Sequence, residues 1–369
     1  MISCDSAKEI PYSLKEADWM ELYAIAQKQT LLGVLFHGIR RLPKKLAPEQ
    51  KLLMQWMAMA EMIRKQNIKL FQNSVKVCQN FENEGFANCI LKGQGNALLY
   101  PDSYMRTPGD IDIYLSGGRK KIMKYVDQVC PNQVMRYHHV DFPVMKTAIE
   151  VHFTPSYMFC PIHNRRMQKW FKEVMGKQCA HWVSLPDGYG EIHVPTASFN
   201  VIYILSHLYR HIFTEGIGLR QLLDYYFVLV KWHTDLTNLM DSKKSLPQMT
   251  QINTDLDALR HELKYLGLWK FAGAVMFVMK EVFGLLEDRM IAPTDEKEGR
   301  FLLDEIMRGG NFGQYDDRMG SQIGESKIHR YFRMNLRNLR FVKHYPKEAL
   351  SEPLFRTWFA LWKKIHGIK

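Results

Sequence analysis

The run Gly109-Asp110-Ile111-Asp112-Ile113-Tyr114-Leu115 constrains this chain more tightly than any other stretch. Its β-branched residues alternate with carboxylates, a pattern that suits a strand and not a helix. Side chains two apart on a strand share a face, so Asp110 and Asp112 project together while Ile111 and Ile113 pack behind them. Two like charges so close raise each other's pKa unless something positive sits between them. A divalent ion does that, and hard carboxylate oxygens suit Mg²⁺ or Mn²⁺. The plain alternative is an exposed edge strand with an acidic face, and the surrounding residues weigh against it.

Upstream, Ile90-Leu91 ends a strand that Lys92-Gly93-Gln94-Gly95 breaks, and Asn96-Ala97-Leu98-Leu99-Tyr100 resumes as a short helix. A Gly-rich turn from strand into helix leaves backbone N–H groups free for an anion, and Lys92 adds a positive charge. Arg106 stands just before the acidic strand, behind the rigid Thr107-Pro108-Gly109 turn. Candidate phosphate ligands (Lys92, Gly93, Gln94, Arg106) and candidate metal ligands are therefore close in sequence.

The series Leu-Lys-Gly, Leu-Tyr-Pro, Arg and Gly-Asp-Ile-Asp-Ile resembles a bacterial family of uncharacterised nucleotidyltransferases within the polymerase-β-like superfamily. Such proteins carry a Gly-Ser or related turn, an Asp-x-Asp strand and a third carboxylate on a later strand; here the turn is Lys92-Gly93-Gln94-Gly95, without the serine. The third acid can be sought in the pattern itself. Thr147 to Phe153 alternates again, with Glu150 and His152 on one face and Ile149, Val151 and Phe153 on the other. Glu150 is the candidate, and the resemblance implies that it completes the metal site and accepts the proton of the attacking hydroxyl.

A chain of 369 residues, 46% of them hydrophobic, can bury more than one core. The expected organisation is a helical region over 1–84, a nucleotidyltransferase palm over 85–195, and a helical domain over 196–369 ending in a basic tail. The fold class is thus α+β, a small mixed sheet with helices, flanked by helical regions. Trp19, Leu22, Tyr23 and Ala26, then Leu52, Leu53, Trp56, Met57, Ala60 and Ile63, recur at helical spacing. Arg119 to Cys130 reads as a helix, Tyr137 to Val144 and Thr147 to Phe153 as neighbouring strands, and Trp182 to Val194 as a hairpin around Pro186 to Gly190.

Ser198 is placed to cap a helix running to Phe213, with His207 and His211 on one face. Arg220 and Asp224 fall one turn apart on the next helix, so that Asp224 can hold the guanidinium toward a phosphate. His211 and Arg220 are therefore candidate cleft residues, against the alternative of a buried polar contact between helices. Ser242 to Pro247 reads as a loop, and Arg308 to Gly320 as a mobile loop with Asp316-Asp317 exposed.

The net charge of +12 suits a polyanionic partner. The tail from Lys327 to Lys369 is both basic and aromatic. That pattern fits a helix with an aromatic core face and a solvated basic face, a nucleic-acid patch, or a membrane-surface helix. The N-terminus lacks a basic-then-apolar export pattern, and the best apolar run, Phe271 to Met279, is too short to span a bilayer. With six scattered cysteines, a reducing, cytoplasmic setting is expected. Cys160, His163, Cys179 and His181 match no zinc spacing.

The expected activity is transfer of a nucleoside monophosphate from a triphosphate such as ATP to a hydroxyl acceptor, with two Mg²⁺ or Mn²⁺ ions and release of pyrophosphate. The acceptor is a small molecule, a protein or RNA. A non-catalytic nucleotide sensor and a nucleic-acid-binding protein that relies on the basic tail are the alternatives.

Overall fold

The computed structural model describes residues 18–241, 248–319 and 326–368. Three helices come first, α1 (Trp19–Lys28), α2 (Leu32–Ile39) and α3 (Gln50–Asn83). Asp18 caps α1, its carboxylate accepting the N–H groups of Met20 and Glu21 at 2.9 Å. α3 is 34 residues long, about 50 Å. Leu52, Trp56, Ala60, Ile63, Leu70, Val77 and Phe81 form its buried stripe. Met57 lies off that stripe and is exposed. The first half of α3 packs with α1 and α2, whereas its second half carries Phe71, Val77 and Phe81 under the sheet.

The sheet takes β1 (Asn88–Ile90), β2 (Ile111–Leu115), β3 (His139–Asp141) and β4 (Ile149–His152) in the order β1-β2-β4-β3. β2 and β4 are parallel and the other pairs antiparallel, giving the small mixed sheet expected. α4 (Gln94–Ala97) follows β1, and α5 (Gly118–Val129) crosses from β2 toward β3. Ile111, Ile113, Val140, Ile149 and Val151 turn to one face and bury against α3 and α5. After α6 (Pro161–Gln178), β5 (Trp182–Ser184) and β6 (Glu191–His193) form the expected hairpin.

The remaining helices are α7 (Ala197–Thr214), α8 (Leu219–Asp241), α9 (Gln248–Tyr265), α10 (Trp269–Phe283), α11 (Glu296–Gly309), α12 (Lys327–Val342) and α13 (Pro346–Ile365). α7 is at the centre of the largest core: every residue from Phe199 to Phe213 is buried, as befits a helix enclosed on all sides. Among the described residues no helix is long and apolar enough to cross a membrane.

Several local readings shift. α4 begins at Gln94, not Asn96, because Gly93 takes φ +54° and turns the chain early. Thr196, not Ser198, caps α7, its hydroxyl accepting the Phe199 N–H at 3.3 Å. The segment expected to be a mobile loop is packed. Gly313 takes φ +65° where a Cβ would meet the Glu215 carbonyl oxygen at 1.9 Å, so this backbone lies directly on the end of α7. Asp316 is buried, not exposed, because Arg318 forks its carboxylate at 2.8 and 3.0 Å and also pairs with Glu305; Asp317 is exposed as expected. The loop expected at Ser242 to Pro247 lies outside the described residues.

Candidate active site

Pairing register assembles the site. Parallel β2 and β4 set Asp112 opposite Glu150 and Tyr114 opposite His152. Antiparallel β3 and β4 set Asp141 opposite Glu150 and His139 opposite His152. These side chains share the sheet face away from the isoleucine core. Asp110 immediately precedes β2 and lines the same cavity.

β1 delivers the lysine. The Leu91 N–H donates to the Asp112 carbonyl at 2.9 Å, so the next residue, Lys92, arrives beside the acids. Its Nζ lies 3.0 Å from Asp112 Oδ1 and 3.3 Å from His207 Nε2. His152 Nε2 reaches the same Asp112 oxygen at 3.0 Å. Glu150 is held from the side by His139 Nδ1 at 3.2 Å.

The two aspartates are driven apart electrically. Burial works to raise the Asp112 pKa, but Lys92 and His152 outweigh it and hold the carboxyl well below its ordinary range. The Asp112 charge, then burial, pushes Asp110 up to about 7 against the pull of Lys92. Burial would lower the His152 pKa, yet its hydrogen bonds to Asp112 and Glu150 raise it. One lysine thus faces three carboxylates, an excess of negative charge that a bound cation relieves.

α7 forms the opposite wall. Burial and Lys92 hold His207 well below its ordinary value, and burial and Arg210 bring His211 to about 4, so both rings are neutral at pH 7. Arg210 Nη2 lies 2.8 Å from His211 Nε2. Between these walls and the α12–α13 pair opens a cavity of about 860 Å³, lined by Asp110, Asp112, Glu150 and Lys92 at one end. Arg136, Arg210, Arg330, Arg333, Arg356 and Lys363 make the rest of it cationic, beside Tyr137, Phe355 and Phe359.

Arg106 does not line that cavity. Its Nε and Nη2 fork the two oxygens of Asp224, both at 2.7 Å, and Tyr100 donates to the same carboxylate at 2.6 Å. Asp224 also pairs with Arg220 at 3.7 Å, the one-turn contact expected, but its two hydrogen bonds from guanidinium go to Arg106. The loop carrying Arg106 is fixed to α3 by Asn67, whose amide donates to the carbonyls of Tyr104 and Arg106 at 2.8 Å. Gln94 is buried and, like Gly93 and Arg220, stands outside the lining, whereas His211 is part of it.

Sequence reasoning passed over His138, His139 and Arg210, and it set His152 beside Glu150 without giving it a role. The alternation His139-Val140-Asp141 was a usable signal once β3 was paired with β4. The cations of α12 and α13 stood out in sequence as a basic tail, but nothing local tied them to the acidic strands. The cysteine–histidine set separates: His163 Nδ1 meets Glu348 at 2.9 Å, whereas His181 Nδ1 meets the Val194 carbonyl at 2.8 Å. Among the described residues, Cys160 and His163 group with Glu348 but not with Cys179 or His181.

A family model described as uncharacterised nucleotidyltransferase matches residues 15–247, which span the sheet, α7 and all of α8. No curated protein and no solved structure matches the chain.

Proposed function

The chain belongs to the uncharacterised nucleotidyltransferase family, and on that premise we propose that it transfers a nucleoside monophosphate from a nucleoside triphosphate to a hydroxyl acceptor, releasing pyrophosphate. The observation that carries this reading is the Asp112–Glu150 register, with Lys92 on Asp112 and Asp110 beside them. The donor set fits a hard divalent cation: Asp112, Glu150 and His152 offer atoms within 4.8 Å of one another, and the charge excess is negative. Asp110, Asp112 and Glu150 would hold two Mg²⁺ or Mn²⁺ ions, which when bound stabilise charge on the attacking and leaving oxygens.

The chain's own side chains do the rest. Lys92 keeps a positive charge between the carboxylates and the incoming phosphates. Gly93, at φ +54°, turns the chain straight after Lys92 and so fixes where that charge stands. Glu150, oriented by His139, accepts the proton of the attacking hydroxyl. His152 orients Asp112 through Nε2. Arg210 and His211 meet substrate from the far wall. Arg106, committed to Asp224, is a positioning residue that fixes the loop before β2, and Arg220 pairs with the same carboxylate.

The test incubates wild type and Asp110→Asn/Asp112→Asn with α-labelled ATP, GTP, CTP and UTP and Mg²⁺ or Mn²⁺ in host lysate. Transfer of label by wild type alone, with release of pyrophosphate, is expected. Metal-dependent binding with no transfer favours the sensor, and neither binding nor transfer overturns the assignment.

A further inference from the structure

Among the described residues, α12 and α13 carry long rows of exposed apolar side chains on their outer face. Along α12, Phe332, Leu336 and Leu339 are exposed at spacings of four and three. Along α13, Leu350, Leu354, Trp358, Leu361 and Ile365 continue the pattern at spacings of four, four, three and four. The two helices pack against each other, so the two rows belong to one hairpin. Leu354 is 73% exposed and Ile365 80%. Scattered apolar residues on a surface need no explanation, but rows at helical period do.

Charge identifies what covers these rows. Between Lys327 and Lys369 the sequence holds eleven Lys or Arg against two acidic residues, so the hairpin carries most of the chain's net +12. Both acids, Glu348 and Glu352, are buried. The exposed surface of the hairpin therefore presents no carboxylate, while Lys343, Lys347 and Lys364 are exposed. A second copy would bring two such positive surfaces together. A nucleic acid would find leucines where it needs stacking and hydrogen-bonding groups. An interfacial helix has this composition, with Leu, Phe and Trp on one side and Lys and Arg bordering them.

We propose that the α12–α13 hairpin docks this protein on anionic lipid bilayers, its leucine rows entering the interface and its lysines meeting lipid phosphates. The inner face of the same hairpin supplies Arg330, Arg333, Arg356 and Lys363 to the cavity. Docking therefore holds the cavity close to the lipid surface. The proposal rests on the hairpin's outer face and is independent of the transfer activity.

The full chain is floated with phosphatidylcholine vesicles and with phosphatidylcholine–phosphatidylglycerol vesicles. It should rise only with the second, at low and at physiological salt. Leu336→Ser/Leu354→Ser/Leu361→Ser should lower partitioning at least about a hundredfold, and Lys343→Glu/Lys347→Glu/Lys364→Glu should do so comparably. All these positions are exposed, and circular dichroism checks that both variants remain folded. Failure to float with phosphatidylglycerol, or flotation unchanged by both variants, overturns the proposal. A dimer by light scattering that the leucine variant disperses, without vesicle binding, assigns the face to a second copy. Tighter binding of single-stranded RNA than of vesicles, lost in the same variants, assigns it to nucleic acid.

Discussion

Removing either partner of the Arg106–Asp224 pair should unfold the protein before it impairs any chemistry. The two 2.7 Å hydrogen bonds lie in a buried setting that Tyr100 closes at 2.6 Å. Unit charges about 4 Å apart attract by about 4 kcal/mol at an effective dielectric constant of ~20. Leaving one of them buried and unpaired costs about 3–5 kcal/mol. Arg106→Met and Asp224→Leu should each lower the thermal midpoint by on the order of 10 °C. The double variant restores an apolar match and should recover much of that loss, with a coupling of about 2 kcal/mol or more. Denaturant unfolding of the four proteins measures the cycle. If Arg106→Met is as stable as wild type and instead raises the nucleotide KM, Arg106 is a phosphate ligand and the positioning role is wrong.

Other outcomes follow from the same geometry. Asp110→Asn should abolish transfer yet stabilise the metal-free fold by roughly 1–3 kcal/mol, since it removes a buried like charge; a destabilised variant would contradict this. Adding Mg²⁺ should stabilise the wild type by about 2.7 kcal/mol at a hundred times Kd, raising its midpoint, and leave Asp112→Asn/Glu150→Gln unchanged. EDTA should stop transfer, and Mn²⁺ should restore it. Burial would raise the Asp224 and Asp316 carboxyls, but Arg106 and Arg318 respectively hold them below their ordinary values. Their stabilisation is therefore complete above the unfolded carboxylate pKa of about 3.9 and is lost as pH falls through the lower folded values. Thermal midpoints should stay level near neutrality and drop in acid, less steeply in Asp224→Leu. Gly313→Ala should cost roughly 3 kcal/mol or more, because φ +65° and the Glu215 carbonyl both exclude a Cβ; limited proteolysis near residue 313 would report it.

The legible part of the site is the part written in strands. Alternation fixes a face, so Asp112, Glu150 and His152 could be placed on the same side of their strands before any coordinates existed. That β3 and β4 are neighbours was legible, but the parallel pairing of β2 with β4, which sets Asp112 opposite Glu150, is a tertiary fact, and so is the register that sets His139 opposite His152. Helical partners were harder to read. Arg220 and Asp224 are one turn apart and do pair at 3.7 Å, but that local spacing could not show the closer planar fork from Arg106, 118 residues away in sequence. Composition misled in the same way at Asp316, where two adjacent aspartates and several glycines look like a solvated loop. Distant Arg337 and Arg340 help to bury that acid, at 3.8 Å each. The basic, aromatic tail leaves three readings open in sequence: an aromatic core face with a solvated basic face, a nucleic-acid patch, or a membrane-surface helix. In the fold, Arg330, Arg333, Arg356 and Lys363 line the cavity beside Phe355 and Phe359, whereas Lys343, Lys347 and Lys364 are solvated and Phe332, Trp358 and the leucines face outward.

Helix α3 also bears on modularity. A cut after residue 84 looks natural from composition, yet the second half of this helix supplies Phe71, Val77 and Phe81 to the underside of the sheet. Sheet and N-terminal helices share one beam, so neither can be excised, transplanted or swapped into a chimera as a self-sufficient part. Hydrogen exchange in the two halves of α3 should rise together under denaturant, since opening one end strips apolar cover from the other. A fragment intended to keep the acidic strands must therefore begin before residue 50.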